Sequence, residues 1–274
     1  MLRIRDEYNK LNKNNQIHSN DPKVIWKFFK KLYENICNNE VCWINKFNIS
    51  PSLKKEINEL FSPSTMEKWK KNDEKNNKED ENVWLSNIDI ENVLKQYEKV
   101  YPCFLFLGTT PIDYFYKSTP KNQNSKCVCD RMCKFNLKDE INRGYNKIGI
   151  VLNTDNHTGP GIHWVSLFIN IKKEFIFYFD SGGEKIPELI MGFVNRVISQ
   201  GKNMKPTPIN FKFSQNYPNQ HQYSNSQCGM YSLYFIIELL LDKKTPNYFK
   251  TKKIKDKEMD NYRYKYFNNI HNTS

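Results

Sequence analysis

A chain of 274 residues with 38% hydrophobic and 14% aromatic residues can bury the core of one large domain, or of a medium domain with a smaller appendage. The formal charge of +12 has two readings, a basic surface for polyanions or a codon-driven excess of Lys and Asn, and the lysines are scattered along the whole chain. No run approaches the roughly 18 consecutive apolar residues of a membrane span, and the opening MLRIRDEYNKLNKNNQ lacks an apolar h-region, so neither a span nor a targeting peptide is expected.

Residues 1–80 read as a separable helical arm domain, with 81–274 as the second domain. Asp21 and Pro22 supply an N-cap and a first helical position ahead of the near-helical apolar spacing of KVIWKFFKKLYENI. A short helix is expected after Ser50 and Pro51, and the polar run 70–82 reads as a linker. From Trp84 the texture changes. Ser86 stands three residues before Asp89 in a capping-box-like helix start, and CFLFLGTTPIDYF follows as a short apolar segment. KIGIVLNTD, HWVSLFINI and EFIFYFD read as strands separated by turns of Gly, Pro, Asn and Asp. PELIMGFVNRVISQ reads as a helix, NFKFSQN as a strand and CGMYSLYFIIELLL as a strongly apolar helix; one last helix is expected in the Lys-rich tail from 243. This order predicts an α+β fold with a small central sheet flanked by helices.

Seven cysteines without framework spacing predict reduced thiols. Cys127, Cys129 and Cys133 form a C-x-C-x3-C cluster, with Cys103 upstream, that lacks the paired C-x2-C of common zinc sites, so neither a metal nor another cofactor is expected. Cys228 differs in position: it sits where SNSQ gives way to the apolar helix, and Gly229 removes bulk beside it. The first turn of a helix offers unsatisfied N–H groups and the positive end of a dipole, which favour a thiolate.

A nucleophilic cysteine needs a base, and the base needs an orienting group. Among five histidines, His163 stands out because it follows the turn TGPGI and opens the strand HWVSLFINI. Asp180 closes the strand EFIFYFD seventeen residues later; antiparallel pairing of the two strands would bring the two side chains together. An oxyanion needs donors, for which the Cys228 N–H and a nearby amide serve. Gln222 is best placed, and spacing leaves Gln220 and Gln227 open.

The ordered blocks GIHW, FYFDSGG and HQYSNSQCGMYSLYFI resemble the ubiquitin-like-protein peptidases, which include the SUMO proteases and adenain. FLGTTPIDYF, IGIVLNTDNHTGPGIHW and QCGMYSLYFI are more similar still to the proteases of nucleocytoplasmic large DNA viruses, African swine fever virus and giant viruses among them. The resemblance covers about residues 84–240 and implies the adenain-like fold, with a mixed sheet and an N-terminal helical arm. It implies Cys228 as nucleophile, His163 as general base, Asp180 as its orienting acid and Gln222 in the oxyanion hole. It further implies Trp164 as the roof of a narrow substrate tunnel; Gly229, which removes bulk beside the sulfur, is expected on the substrate side with it. The expected substrates are viral capsid or core polyproteins, cut after small residues such as Gly-Gly during virion maturation, in the virion and the host cytoplasm. DNA is an accessory partner that the positive charge admits. Competing readings are a host-directed deSUMOylase or deubiquitinase with the same chemistry, and a basic nucleic-acid-binding core protein.

Overall fold

The computed structural model describes residues 1–36, 40–58, 84–117 and 126–267. The chain divides into two compact units, Met1–Trp69 with Tyr264–Ser274, and Lys70–Arg263. The expected boundary at 80/81 and the expected linker lie outside the described residues.

The first unit contains α1 (Leu2–Leu11), α2 (Pro22–Leu32), α3 (Glu40–Asn45) and α4 (Pro51–Asn58). Asp21 caps α2 by accepting the Lys23 N–H at 2.9 Å, and Pro22 occupies the first turn, as the sequence predicts. The core of this unit is aromatic: Tyr8, Phe29, Trp43 and Phe47 pack at ring-centroid distances of 5.2–6.0 Å.

The second unit begins with α5 (Asn87–Val100), whose start carries the full capping box: Ser86 Oγ accepts the Asp89 N–H and the Asp89 carboxylate accepts the Ser86 N–H. The segment Phe104–Pro111 is a strand, β1, which the apolar run alone did not specify. Short helices α6 (Asp130–Cys133) and α7 (Leu137–Asn142) lead to β2 (Lys147–Asn153), β3 (Trp164–Asn170) and β4 (Phe175–Phe179). Then come α8 (Glu188–Lys202), β5 (Lys212–Gln215) and α9 (Cys228–Leu240). The tail from 243 forms two helices rather than one, α10 (Pro246–Thr251) and α11 (Asp256–Tyr266), because the chain turns extended at Lys252, where φ is −104° and ψ 140°. No helix among the described residues is long and apolar enough to cross a membrane.

The five strands form one mixed sheet in the order β1-β2-β3-β4-β5, with parallel outer pairs and an antiparallel β2-β3-β4 meander. Strand alternation sends Ile148, Ile150, Leu152, Val165, Leu167, Ile169, Ile176 and Tyr178 into a core that α8 closes with Ile190, Phe193, Val194 and Val197. The opposite face carries Phe168, Phe177 and Phe179 against Phe235 of α9. All thirteen residues of α9 are buried, so the helix named for its uniform apolarity lies inside the protein with its N-terminus at one end of the sheet.

The expectation of reduced thiols fails at the cysteine cluster. Cys127 and Cys133 form a disulfide, brought together by α6, which folds a six-residue separation into a Cα–Cα distance of 6.5 Å. Cys103, Cys129 and Cys228 are free thiols.

His221 is fully buried beside Phe179 and Tyr231. Its Nδ1 accepts the Ile254 N–H at 3.2 Å, and its Nε2–H donates to the Phe249 carbonyl at 3.1 Å. Burial, aided by the Lys253 charge and opposed by the Phe249 carbonyl, pushes the imidazolium down to about 4. The unfolded chain therefore takes up this proton first as pH falls below 6.5. The stability gained by keeping His221 neutral is complete above about pH 6.5 and is lost as pH falls through 4, a contribution of about 3 kcal/mol. Urea unfolding from pH 7 to 4 is expected to show this decline, and His221→Gln to flatten it; equal slopes in the two proteins would assign the loss to other groups.

Candidate active site

The β3–β4 hairpin decides where the first two candidate residues meet. Ser166 pairs with Phe179, so the residue just before β3 and the residue just after β4 lie at the same end of the ladder. There His163 Nε2 lies 2.7 Å from Asp180 Oδ1. The pairing inferred from strand order is thus present. Asp180 is only 3% exposed, and the same Oδ1 accepts the Gly182 N–H at 2.7 Å.

The backbone of Asp180 is held by a residue that the sequence did not single out. Asn216 Oδ1 accepts the Asp180 N–H at 2.9 Å, and Asn216 Nδ2 donates to the Asp180 carbonyl at 2.6 Å and to the Asn219 carbonyl at 2.8 Å. Tyr178 and Gln215 are the last pair of the β4–β5 ladder, so this side chain continues the strand pattern one step beyond the backbone. Asn216 is 1% exposed, with both ends of its amide engaged. In sequence it is an ordinary polar residue ending SQN; its only signal is its place at the end of the strand next to the one that ends in Asp180.

His163 keeps 25% of its side chain exposed. Burial disfavours its charged form, but the hydrogen bonds and negative charges of Asp180 and Cys228 outweigh burial and raise its pKa to about 10. With Nε2 committed to Asp180, Nδ1 is the nitrogen left for the thiol. The arrangement favours an imidazolium next to the Cys228 sulfur.

Cys228 is the first residue of α9 and is 2% exposed. No side chain caps this helix: the preceding Gln227 turns its amide to Asp260 at 2.6 Å and accepts from Arg263 at 3.2 Å. The positive end of the helix therefore faces the sulfur without a competing cap. Gly229 is buried, and a Cβ there would come within 2.9 Å of Leu85 Cβ. What the geometry requires of Gly229, expected on the substrate side, is close packing on Leu85. Leu85 also accepts the Trp164 indole N–H on its carbonyl at 2.9 Å, so half-buried Trp164 and Gly229 are anchored to one residue ahead of the α5 capping box.

Gln222 is fixed by three bonds. Its Oε1 accepts the Ser181 hydroxyl at 2.7 Å, its Nε2 donates to the Ser224 carbonyl at 2.5 Å, and its backbone N–H donates to the Ser181 carbonyl at 2.9 Å. One of its two amide protons remains for another acceptor. The competitors are committed elsewhere, Gln220 to the Gln222 carbonyl at 2.8 Å and Gln227 to Asp260. Ser181, read in sequence as part of a turn, links the acid to this amide. Gly183 closes that turn at φ +78°, where a Cβ would strike the Gln220 backbone at 2.7 Å. Among the described residues no group of His, Cys, Asp and Glu could hold a metal ion.

Two family models match the chain: the Ulp1 protease family, C-terminal catalytic domain, over residues 142–274, and the Vaccinia virus I7 processing peptidase over residues 65–204. A thiol protease of Acanthamoeba polyphaga mimivirus is 30% identical over 224 residues, covering 80% of this chain and 66% of the relative. A cysteine protease of African swine fever virus (isolate Tick/Malawi/Lil 20-1/1983) is 28% identical over 186 residues, covering 65% of this chain and 66% of the relative. The chain thus spans about two thirds of the length of these curated relatives. A crystal structure of an African swine fever virus protease superposes with a TM-score of 0.62 at 21% identity, over 93% of this chain and 94% of that one, and shows the same fold. The I7-type model spans half of the chain, the Ulp1-type model overlaps it and extends the match to residue 274, and the chain belongs to this group of cysteine peptidases.

Proposed function

We propose that the chain is a viral cysteine endopeptidase that cuts capsid or core polyprotein precursors after small residues, Gly-Gly before the scissile bond, as virions mature in the host cytoplasm. The observation that carries the catalytic reading is the 2.7 Å His163–Asp180 pair, with His163 pushed toward imidazolium beside a cysteine at an uncapped helix start. The names of the relatives, a processing peptidase and viral thiol and cysteine proteases, support the substrate class.

In this reading the Cys228 proton resides on His163 Nδ1, and the thiolate attacks the scissile carbonyl. Negative charge gathers on the carbonyl oxygen, which accepts the Cys228 backbone N–H and the remaining Gln222 amide proton. Collapse breaks the C–N bond, His163 gives its proton to the leaving amine, and a thioester remains on Cys228. His163, now neutral, takes a proton from water; the hydroxide attacks the thioester, and the thiolate leaves to re-form the ion pair. Asp180 holds the ring in place and stabilises its charge throughout. Trp164, anchored on Leu85, roofs the approach, and glycine in the substrate permits passage beside it.

Four outcomes follow from this assignment. A fluorogenic peptide with Gly-Gly before the scissile bond is expected to be cleaved, with kcat reduced about a thousandfold or more in Cys228→Ala and His163→Ala variants that keep their circular dichroism; a Cys228→Ala variant that still cleaves would end the reading. Because His163 titrates near 10 in the folded protein, the alkaline limb of kcat/KM is expected well above 6.5. Removing the negative charge in Asp180→Asn lowers the imidazolium pKa, so that limb should move to lower pH by at least about one unit. Asn216→Ala leaves the carboxylate present but releases its backbone; it is expected to lower kcat about tenfold with little change in KM and to move the alkaline limb in the same direction, whereas an unmoved limb would make Asn216 purely structural.

A further inference from the structure

The segment 242–260 separates its charges. Each of its four acids is engaged within the fold: Asp242 pairs with Lys147 and Lys173, and Asp256 accepts the Tyr223 and Ser224 N–H groups and the Tyr231 hydroxyl. Glu258 accepts the Lys255 N–H, and Asp260 accepts the Gln227 amide. The seven lysines at 243, 244, 250, 252, 253, 255 and 257 enter no ion pair among the described residues, and all but half-buried Lys244 are exposed. A charge run of this kind is ordinarily a solvated surface, and its position argues for more.

Three tethers pin residues 252–256 to the loop that carries Gln222. Asn219 Nδ2 donates to the Lys252 carbonyl at 3.1 Å, the Lys253 ammonium sits 4.2 Å above the Tyr223 ring, and Asp256 holds the Tyr223 and Ser224 N–H groups at 3.0 Å. Tyr223 directly follows Gln222 and is 62% exposed. The backbone that carries Lys252, Lys253 and Lys255 is therefore held beside the candidate oxyanion loop, and their side chains form a positive rim there.

We propose that this rim is a docking surface for an acidic segment of the protein substrate, lying a few residues from the scissile bond. The proposal rests on the peptidase reading above. A peptide chain passing Gln222 and Cys228 brings its neighbouring residues onto these ammonium groups, which supply long-range attraction without a rigid pocket. An acidic peptide suits the rim better than a single-stranded nucleic acid: Lys252, Lys253 and Lys255 offer single ammonium points rather than the forked guanidinium donors that suit phosphates.

The test compares peptides with the same Gly-Gly core, extended on either side by four glutamates or four glutamines. The wild-type protein is expected to cleave a glutamate-extended peptide with a KM about fivefold to tenfold below that of its glutamine counterpart, an advantage that shrinks between 50 and 500 mM NaCl. A Lys252→Gln, Lys255→Gln double variant, which keeps the Lys253–Tyr223 contact, should lose most of that advantage and of its salt dependence while cleaving the glutamine peptides as before. Cleavage of the glutamine peptides with no glutamate advantage on either side would overturn the docking surface and leave the peptidase standing, whereas failure to cleave any peptide would overturn the peptidase reading itself and with it the proposal. An undiminished advantage in the double variant, or loss of wild-type binding to a short DNA oligonucleotide in that variant without any glutamate effect, would also overturn it.

Discussion

A carboxylate that is 3% exposed must be compensated or neutralised, and much of the site's architecture follows from how Asp180 is held. Its oxygen receives the His163 ring and the Gly182 N–H, while its own backbone is clamped on both sides by Asn216. These bonds require β5 to run beside β4 and to end at the same level, so that the residue after Gln215 can reach across. They also require the sharp turn at Gly182 and Gly183, which returns the Ser181 carbonyl and hydroxyl toward Gln222. One buried charge thus ties together the hairpin that carries the histidine, the edge strand and the loop that enters α9.

The second constraint is the burial of α9. A helix apolar on every side is stable only when every side is covered, and β3, α5 and the aromatic cluster around Phe249 cover it. Coverage fixes the helix along its length and so fixes its first residue. At that end Leu85 replaces what a side chain at 229 would occupy and accepts the Trp164 indole N–H, which sets tryptophan, helix start and α5 in one arrangement. Rigid packing behind Cys228 and a polar loop in front of it hold the sulfur in one place at the start of the helix.

Much of this was legible in the sequence because the relevant signals are local. The α2 cap, the α5 capping box and the alternating strands each follow from residue spacing, and the antiparallel β3–β4 pairing alone brings His163 to Asp180. The strand β1 was harder to read because its hydrophobic run is interrupted by Gly108, where φ is +106°, and by a shift in the ladder between Phe106 and Thr109. Asn216 was illegible because its role depends on a parallel neighbour 36 residues away, and nothing in SQN distinguishes a ladder-extending amide from a loop residue. The Cys127–Cys133 bond was missed for a similar reason: a six-residue separation closes only when the intervening chain folds back, as the turn at 128–129 and α6 do here.

His163 and His221 show why residue identity and neighbourhood in sequence do not assign a protonation state. Both belong to the segments that frame Asp180 and Gln222, and both lose water on folding. His221 meets a carbonyl and a peptide N–H, partners that satisfy a neutral ring and give a second proton nothing to offset its charge, and its imidazolium falls to about 4. His163 meets a carboxylate and a thiol, and its imidazolium rises to about 10. Burial acts in the same direction on the two rings, so the separation comes from the charge of their partners. The fold therefore divides labour between its histidines, holding one neutral to join the Gln222 loop to Ile254 and Phe249 and holding the other charged beside the sulfur.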